Sequence, residues 1–428
     1  MSKKWIVRIL GAGIIGFMLV IFASFLIPGI RERILWKIND YKIRIDYAIN
    51  PPEESVFVPV ATVEQTPQPS VTPTPEATST PALSNEPTIV VTPSMTPTSL
   101  PSSIVLSGIR YQDQHGLWNY CAPANLAMQL SYWGWEGDRM DTGMVLKPFE
   151  KDKNVMLYEM ADYVYGFTNL QAIVRSGGNI DLLKKLISNG FPVLVEKGVF
   201  IKDINGKLSW MGHYAVLNGY DDEKLEFITQ DSYFKPDYPI TYDALTEQWR
   251  AFNYVFIVIY PSEKQDMIVD ILGPMADDSQ ADRMAYDFAN KEINQTSGND
   301  LFFSWFNRGT SLVQLQDYVG AASAYDFAFQ IYSQLPENNR PWRIMWYQTG
   351  PYFAYYYSGR YQDVINLASL TIDAATEPYL EESFYWRALA YVAVGESQKA
   401  ISDLNSSLEY HPEFAPSVAL LQQLGITP

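Results

Sequence analysis

The chain has 428 residues, a net charge of −17, three histidines and a single cysteine. A single thiol excludes an intrachain disulfide, and three scattered histidines show no spacing typical of metal ligands. The excess of acidic residues argues against binding to nucleic acid, whose phosphates would be repelled, and no phosphate loop or dinucleotide fingerprint occurs. We therefore expect no metal, no cofactor and no nucleic-acid partner.

The first 50 residues, 1–50, carry a candidate membrane span. Residues 9–30 form an uncharged apolar run of 22 residues, which is long enough to cross a bilayer. Basic residues precede the run and no small-x-small cleavage motif follows it, so we interpret it as an uncleaved signal anchor, with cleavage as the alternative. Basic residues also crowd the following segment, 30–45, which could form an interfacial helix. The positive-inside rule therefore leaves the orientation open.

Residues 51–103 have the composition of a spacer. They hold twelve prolines among many threonines and serines, and no Gly, Lys or Arg. Such a segment cannot build a core and favours an extended polyproline conformation. We predict a disordered stalk that holds the following domains on the extracellular side of a cell membrane, which the chain crosses once. A disordered cytosolic tether is the alternative.

The charge is divided unevenly between the two ends of the chain. Residues 1–50 hold eight basic against three acidic side chains. The net charge of residues 51–428 is therefore more negative than that of the whole chain. An acidic body beyond a basic segment close to the membrane is typical of a soluble domain at a cell surface.

The single cysteine, Cys121, lies in the run WNYCAPANLAM, residues 118–128. The apolar periodicity predicts a helix over 121–133 with this cysteine in its first turn, where Pro123 is tolerated. The free N–H groups and the positive dipole end of a helix favour thiolate over thiol. Cys121 is therefore a candidate nucleophile, and the alternative is a buried cysteine that acts as a small hydrophobic residue.

A candidate base, His213, lies in the run GHYAVLNGYD, residues 212–221. This run predicts a strand, followed by a turn and a return strand. If the turn is centred on Asp222, His213 lies directly opposite Asp231, close enough for the carboxylate to orient the imidazole. A cysteine at a helix N-terminus, a histidine on a strand and a carboxylate on the next strand are the parts of a thiol acyl-transfer site.

Other residues compete for these roles. His115 lies on the segment that leads into the predicted helix, so it is poorly placed to face the thiol from another wall. His411 lies in a turn near the C-terminus, and we interpret it as structural. Asp221 or Asp222 could orient the candidate base if the turn falls elsewhere in the sequence.

The cysteine and histidine motifs resemble those of the bacteriocin-processing peptidases, a papain-like group that cuts double-glycine leader peptides. They resemble the stand-alone relatives that lack a transporter more closely. The resemblance covers residues 104–262. It implies that Cys121 is the nucleophile, His213 the general base and acid, and Asp231 the residue that orients the imidazole.

The same family places a glutamine a few residues before the cysteine, where its amide helps to stabilise the oxyanion. In this chain Gln114 is seven residues ahead and Gln112 is nine. The resemblance implies that Gln114 is the oxyanion donor, with Gln112 as the alternative. Ala122 replaces the glycine that usually follows the nucleophile.

The elements predicted within 104–262 follow the order of an α+β papain-like domain. The helix over 121–133 comes first, and a second helix is predicted over 179–188. Strands are then predicted over 190–196, in the hairpin, and over 252–260. A helix first and antiparallel strands later suit this class, and about 160 residues suffice for a separate core.

The last part of the chain, 268–428, is predicted to be an all-α domain of about three tetratricopeptide repeats. The positions that match the repeat spacing are Trp305, Gly309, Leu312, Ala321, Tyr325 and Ala328 in the first copy, and Phe384, Ala388, Tyr391, Ala400, Leu404 and Pro412 in the last. A degenerate copy lies between them. Such stacks expose a concave groove that holds peptides.

These features together predict a membrane-anchored surface cysteine peptidase that hydrolyses peptide bonds. Its substrate is expected to be a peptide or protein, and the repeats are expected to dock substrate or a protein partner. The alternative is a catalytically inactive or transferase-type papain-like domain that serves as a peptide- or protein-binding module at the cell surface. The double-glycine specificity is not transferred, because the chain has one predicted span and no transporter segments.

Overall fold

The computed structural model of the chain describes residues 100–202 and 208–427, the short segment 56–59 and six residues between 37 and 49. The predicted membrane span, 9–30, and most of the predicted stalk lie outside the described residues. Within the part that is described, no helix is both long enough and apolar enough to cross a bilayer.

The described strands form one antiparallel sheet of seven strands. They are β1 Ser103–Val105, β2 Leu170–Arg175, β3 Val193–Lys202, β4 Leu208–Asp221, β5 Glu226–Asp231, β6 Lys235–Thr241 and β7 Phe256–Pro261. The order across the sheet is β2-β7-β3-β4-β5-β6, and β1 pairs with β4. The strand predicted over 252–260 begins only at Phe256, because the residues before it form a turn in which Asn253 and Tyr254 have positive φ.

Helices cover both faces of the sheet. They are α1 Cys121–Tyr132, α2 Arg139–Leu146, α3 Leu157–Phe167, α4 Ile180–Ser188, α5 Tyr242–Arg250 and α6 Gln265–Leu272. Because successive strand residues point to opposite faces, Ile257 packs in one core with Leu126 of α1, and Val258 packs in the other core with Leu186 of α4. The α+β class of this part is confirmed, and α1 and α4 match their predicted ranges to within one residue at each end.

The C-terminal region is helical, as predicted. Its helices are α7 Asp278–Ile293, α8 Gly298–Gln314, α9 Tyr318–Gln334, α10 Ile344–Tyr347, α11 Gly350–Tyr357, α12 Tyr361–Asp373, α13 Glu381–Ala393, α14 Ser397–Tyr410 and α15 Ala415–Gln423. A Cβ on Gly309 would lie 2.8 Å from the ring of Tyr325, so α8 and α9 cross closely where the sequence placed small residues. The assignment to tetratricopeptide repeats stays a prediction.

The sheet and the helical region share a hydrophobic core. Trp210 of β4 stacks on Phe252 with ring centroids 5.9 Å apart, and both rings contact Tyr347 of α10. Phe303 of α8 joins the same cluster, and Arg343 donates to the Trp210 carbonyl oxygen at 3.1 Å. The two regions predicted as separate domains are therefore joined by a continuous core, which fixes the helical region against strand β4.

Two parts of the predicted stalk, 51–103, pack against the folded protein, so the prediction of disorder is wrong at these positions. Phe57 is only 5 % exposed, and its ring lies 4.9 Å from that of Phe329 and 5.9 Å from that of Tyr355. At the other end, Ser103 begins β1. Phe57 supplies apolar surface that the surrounding prolines and threonines lack, and burial of that surface offsets the cost of ordering the chain.

Candidate active site

Cys121 is the first residue of α1 and carries a free thiol. The chain enters the helix through Asn119, whose φ is 48°, a conformation that asparagine adopts more readily than most residues. The Asn119 amide donates to the Asp152 carbonyl oxygen at 2.9 Å. The Asn125 amide donates to the carbonyl oxygens of Cys121 at 2.8 Å and Tyr214 at 2.9 Å. These bonds hold the start of α1 against strand β4.

His213 lies on β4 between the thiol and a carboxylate. Its Nε2 is 2.7 Å from Oδ1 of Asp231, and the two residues are 4 % and 0 % exposed. The imidazole and the Cys121 side chain line the same pocket, and because Nε2 is engaged, Nδ1 is the nitrogen left for the thiol. Burial disfavours the imidazolium, but the Asp231 carboxylate and Cys121 raise the pKa of His213 to about 9.

Asp231 is held as an anion by several donors. Its Oδ1 accepts the backbone N–H groups of Tyr233 at 3.0 Å and Phe234 at 3.1 Å. Burial opposes ionisation, but His213, Lys197 and the Phe234 N–H hold the pKa of Asp231 well below its usual range. The carboxylate can therefore stabilise a positive charge on the imidazole at neutral pH.

The predicted register of the hairpin is wrong. The pairs in the structure are Val216 with Gln230 and Tyr220 with Phe227, and a bulge interrupts the ladder between them. The turn occupies residues 222–225 rather than being centred on Asp222. Asp231 follows the last paired residue, so it reaches the imidazole diagonally and not from a directly opposed position. The prediction therefore placed His213 and Asp231 close to each other, as in the structure, but with the wrong pairing of the two strands.

Lys197 is a site residue that the sequence analysis missed. It lies directly opposite His213 on the neighbouring strand β3, is 1 % exposed, and its Nζ is 3.4 Å from Oδ2 of Asp231. Burial lowers the pKa of Lys197 while Asp231 raises it. The available signal was an ionisable pair, Glu196 and Lys197, directly after the apolar run of residues 191–195.

Gln114 is the residue that the family resemblance implies as oxyanion donor. It lines the same pocket as Cys121 and His213. Its Oε1 accepts the hydroxyl proton of Ser232 at 2.7 Å, and the Ser232 hydroxyl in turn accepts from the Asn125 amide at 2.8 Å. These two hydrogen bonds fix which end of the Gln114 amide is the oxygen, so its Nε2 remains available as a donor. The alternative residue, Gln112, does not line the pocket.

The structure places the competing histidines elsewhere. His115 forms an exposed pair with Asp113, with Nδ1 2.6 Å from Oδ1. His411 forms a pair with Glu381 in the helical region, with Nδ1 2.9 Å from Oε1. Neither lines the pocket of the thiol.

The competing carboxylates are also engaged away from His213. Asp221 pairs with Lys224 at 2.7 Å, and Asp222 pairs with Lys184 at 2.7 Å. Both acids lie at the turn end of the hairpin.

One group of side chains has the composition of a metal site. Asp152, Glu381 and His411 bring one ligand atom each to within 4.8 Å of one another. Nδ1 of His411 lies 2.9 Å from Oε1 of Glu381, and Asp152 accepts the backbone N–H of Asn154 at 3.2 Å. The expectation that the protein binds no metal stays a prediction.

The helical region contributes Tyr347 to the wall of the thiol pocket. Burial raises the pKa of Tyr347. A Cβ on Gly212 would lie 2.8 Å from the Tyr347 ring and 2.9 Å from the Phe252 ring. A glycine beside His213 is therefore needed for the helical region to approach the site. No local sequence pattern marks Tyr347.

Comparisons with known proteins find similarity over part of the chain. Residues 106–257 match the model of the Peptidase_C39 like family, and no curated protein matches the chain. A protein from Bacillus anthracis described as a C39-like peptidase is 18 % identical, with a TM-score of 0.30, over 37 % of this chain and 96 % of its own. Xylellain, a cysteine protease from Xylella fastidiosa, is 14 % identical, with a TM-score of 0.30, over 38 % of this chain and 87 % of its own. The family match supports a papain-like, C39-like α+β domain over residues 106–257, followed by a helical C-terminal region.

Proposed function

We propose that the chain is a cysteine peptidase that hydrolyses peptide bonds at Cys121. The observation that carries this proposal is the buried pair of His213 and Asp231, with 2.7 Å between Nε2 and Oδ1, in a pocket that Cys121 also lines. A thiol at a helix start, a base in contact with it and an anion that orients the base are what nucleophilic acyl transfer requires. The match of residues 106–257 to a peptidase family supports the same activity.

The first half of the reaction follows from the positions of these groups. Nδ1 of His213 takes the Sγ proton, and the thiolate attacks the substrate carbonyl carbon, so that a C–S bond forms and the carbonyl electron pair moves to oxygen. The Cys121 backbone N–H, which has no partner within the helix, and Nε2 of Gln114 stabilise the oxyanion. The C–N bond then breaks while the imidazolium gives its proton to the leaving amine.

The second half releases the acyl group. A water molecule gives a proton to His213 and attacks the thioester carbonyl, the C–S bond breaks, and the thiolate leaves with its proton restored from the imidazolium. Asp231 holds the Nε2 proton throughout, so the same tautomer serves both halves. The Gln114 arrangement favours this hydrolase over an inactive binding module, since a pure binding site has no need of an oriented oxyanion donor.

The test is cleavage of a mixed peptide library by the purified full chain, read by mass spectrometry. We expect cleavage by the wild type, none by Cys121→Ala or His213→Ala, and about a hundredfold slower cleavage by Gln114→Ala. Cleavage that survives in Cys121→Ala would contradict the proposal. So would the lack of any product with the wild type in a library that covers all residue pairs.

We further propose that residues 9–30 anchor the protein in a cell membrane, with the body on the outer side and the helical region as a repeat domain that docks substrate or partner. The apolar run and the Pro/Thr/Ser-rich segment support the anchor, and the contact of Tyr347 with the thiol pocket supports a role for the helical region near substrate. Protease added to intact cells should remove the body. Protection of the body would contradict this orientation.

A further inference from the structure

A second, larger cavity lies at the junction of the sheet and the helical region, with a volume of about 540 Å³. The sheet side of its wall includes Glu196 of β3 and Val174 of β2, and the helical side includes Tyr318 and Phe353. Glu196 is the only carboxylate among the described residues of the lining, which includes no Lys or Arg. The cavity is therefore built from both halves of the chain and carries one acidic group.

Glu196 is an unsatisfied buried acid. It is 4 % exposed, and its Oε1 has no hydrogen-bond partner. Its neighbour across the strands is Tyr214, whose hydroxyl already donates to the Val155 carbonyl oxygen at 2.9 Å. Burial raises the pKa of Glu196 well above its usual range, Cys121 adds to the rise, and Tyr214 opposes it. A buried carboxyl without a donor or a cation is costly, so a donor brought by a ligand would be strongly bound.

The cavity adjoins the thiol pocket. Tyr347 lines both of them, and Tyr214, the neighbour of Glu196, lines the pocket of Cys121. A substrate whose scissile carbonyl lies at the thiol can therefore place an adjoining side chain in the cavity.

The rest of the lining suits a long cationic side chain. Aromatic rings from Tyr158, Phe252, Tyr318, Tyr347 and Phe353 form part of the wall. Such rings attract a guanidinium or ammonium group through their faces and cover the aliphatic stem of lysine or arginine. The acidic body of the protein also attracts basic peptides.

We propose that this cavity is the substrate-binding subsite for a lysine or arginine side chain next to the scissile bond, with Glu196 as its partner. The Glu196 carboxyl releases its proton to solvent when the cationic side chain binds and then acts as the counter-ion. The inference rests on the proposed peptidase function and adds the substrate class. It assigns Glu196 to specificity and not to the chemical steps.

The experiment compares matched peptides that carry arginine, lysine or uncharged norleucine at each position flanking the cleaved bond. At one of these positions we expect the wild type to cleave the basic peptides with a kcat/KM about thirtyfold higher than the norleucine peptide. In Glu196→Gln the ratio of kcat/KM for the basic peptides to kcat/KM for the norleucine peptide should fall to about one. The control is Glu382→Gln, since Glu382 is another carboxyl whose pKa burial raises, and it lies outside the cavity.

Three results would overturn the subsite: no preference for basic residues in the wild type, a preference that survives in Glu196→Gln, or an equal loss on all peptides in Glu196→Gln. A binding measurement separates this failure from failure of the peptidase proposal. Calorimetry with Cys121→Ala should show tighter binding of the arginine peptide than of the norleucine peptide, and the difference should vanish in Cys121→Ala/Glu196→Gln. Binding of that pattern without turnover in the wild type would refute only the peptidase activity.

Discussion

Lys197 and His213 face each other across strands β3 and β4, and both reach the same carboxylate. Nε2 of His213 is 2.7 Å from Oδ1 of Asp231, and Nζ of Lys197 is 3.4 Å from Oδ2. The buried carboxylate of Asp231 therefore interacts with two basic side chains, those of Lys197 and His213. The lysine competes with the imidazolium for the negative charge, which limits how strongly Asp231 stabilises the protonated base.

Lys197→Met tests this competition. Removal of the lysine leaves Asp231 to His213 alone, so we expect the pKa of His213 to rise further above its ordinary value. The ring signals of His213 followed by NMR against pH report this directly. Lys184→Met is the control, because Lys184 pairs with Asp222 at the far end of the hairpin and should leave the titration unchanged. An unchanged titration in Lys197→Met would show that the lysine does not compete.

The raised pKa of His213 also predicts how stability depends on pH. The pKa rises from 6.5 to about 9 on folding, so the folded protein holds this proton more tightly than the unfolded chain. The stabilisation is fully present below about pH 6.5 and is lost as the pH rises through about 9. The Tm difference between the wild type and His213→Gln should therefore be constant below pH 6.5 and shrink up to pH 9. A difference that grows with pH would contradict the charged pair.

Glu159 also predicts that the stability of the protein falls as the pH rises. Burial and the nearby Glu382 raise the pKa of Glu159 from 4.5 to about 8. The contribution of the Glu159 proton to the free energy of unfolding is fully present below about pH 4.5 and is lost as the pH rises through 8. At pH 8 we expect Glu159→Gln to be more stable than the wild type by about 1–2 kcal/mol, with no gain at pH 4.5. Chemical denaturation at the two pH values measures this, and the exposed Glu136→Gln should show neither effect.

Gly212 predicts a steric cost at the contact between the sheet and the helical region. An added methyl group would meet the rings of Tyr347 and Phe252 at 2.8 and 2.9 Å. We expect Gly212→Ala to lower the free energy of unfolding by about 1–3 kcal/mol and to slow cleavage, because Tyr347 must move. Gly166→Ala is the matched control, since a Cβ there meets nothing within 4 Å, and in helix α3 the change should stabilise slightly. A neutral Gly212→Ala would contradict the close contact.

The parts of the site that could be predicted are those with a local signal. Cys121 and His213 were found because each lies in a short run whose pattern places it on a helix start or a strand. The hairpin register could not be predicted, because the bulge between Leu217 and Gly219 depends on pairing with the next strand and not on either strand alone. Asp231 nevertheless lies beside His213, because a shift of two residues at the end of the hairpin leaves the two side chains within reach of each other.

The residues that were missed depend on contacts between distant parts of the chain. Tyr347 and Phe57 are placed by the shared core, and nothing within a few residues of either predicts which partner each will meet. Glu196 and Lys197 had a weak signal, because two charged residues within the buried part of a strand need partners. Which anion or cavity they meet becomes visible only when β3 is paired with β4.

The most direct test of the account is the alkylation rate of Cys121 as a function of pH. The full chain has one cysteine, so the labelling of the wild type and of His213→Ala reports a single site. The account predicts that the wild-type thiol is alkylated faster than the thiol of the variant, because the imidazole of His213 takes the thiol proton. Equal alkylation rates in the two proteins at every pH would contradict the proposed nucleophile and base.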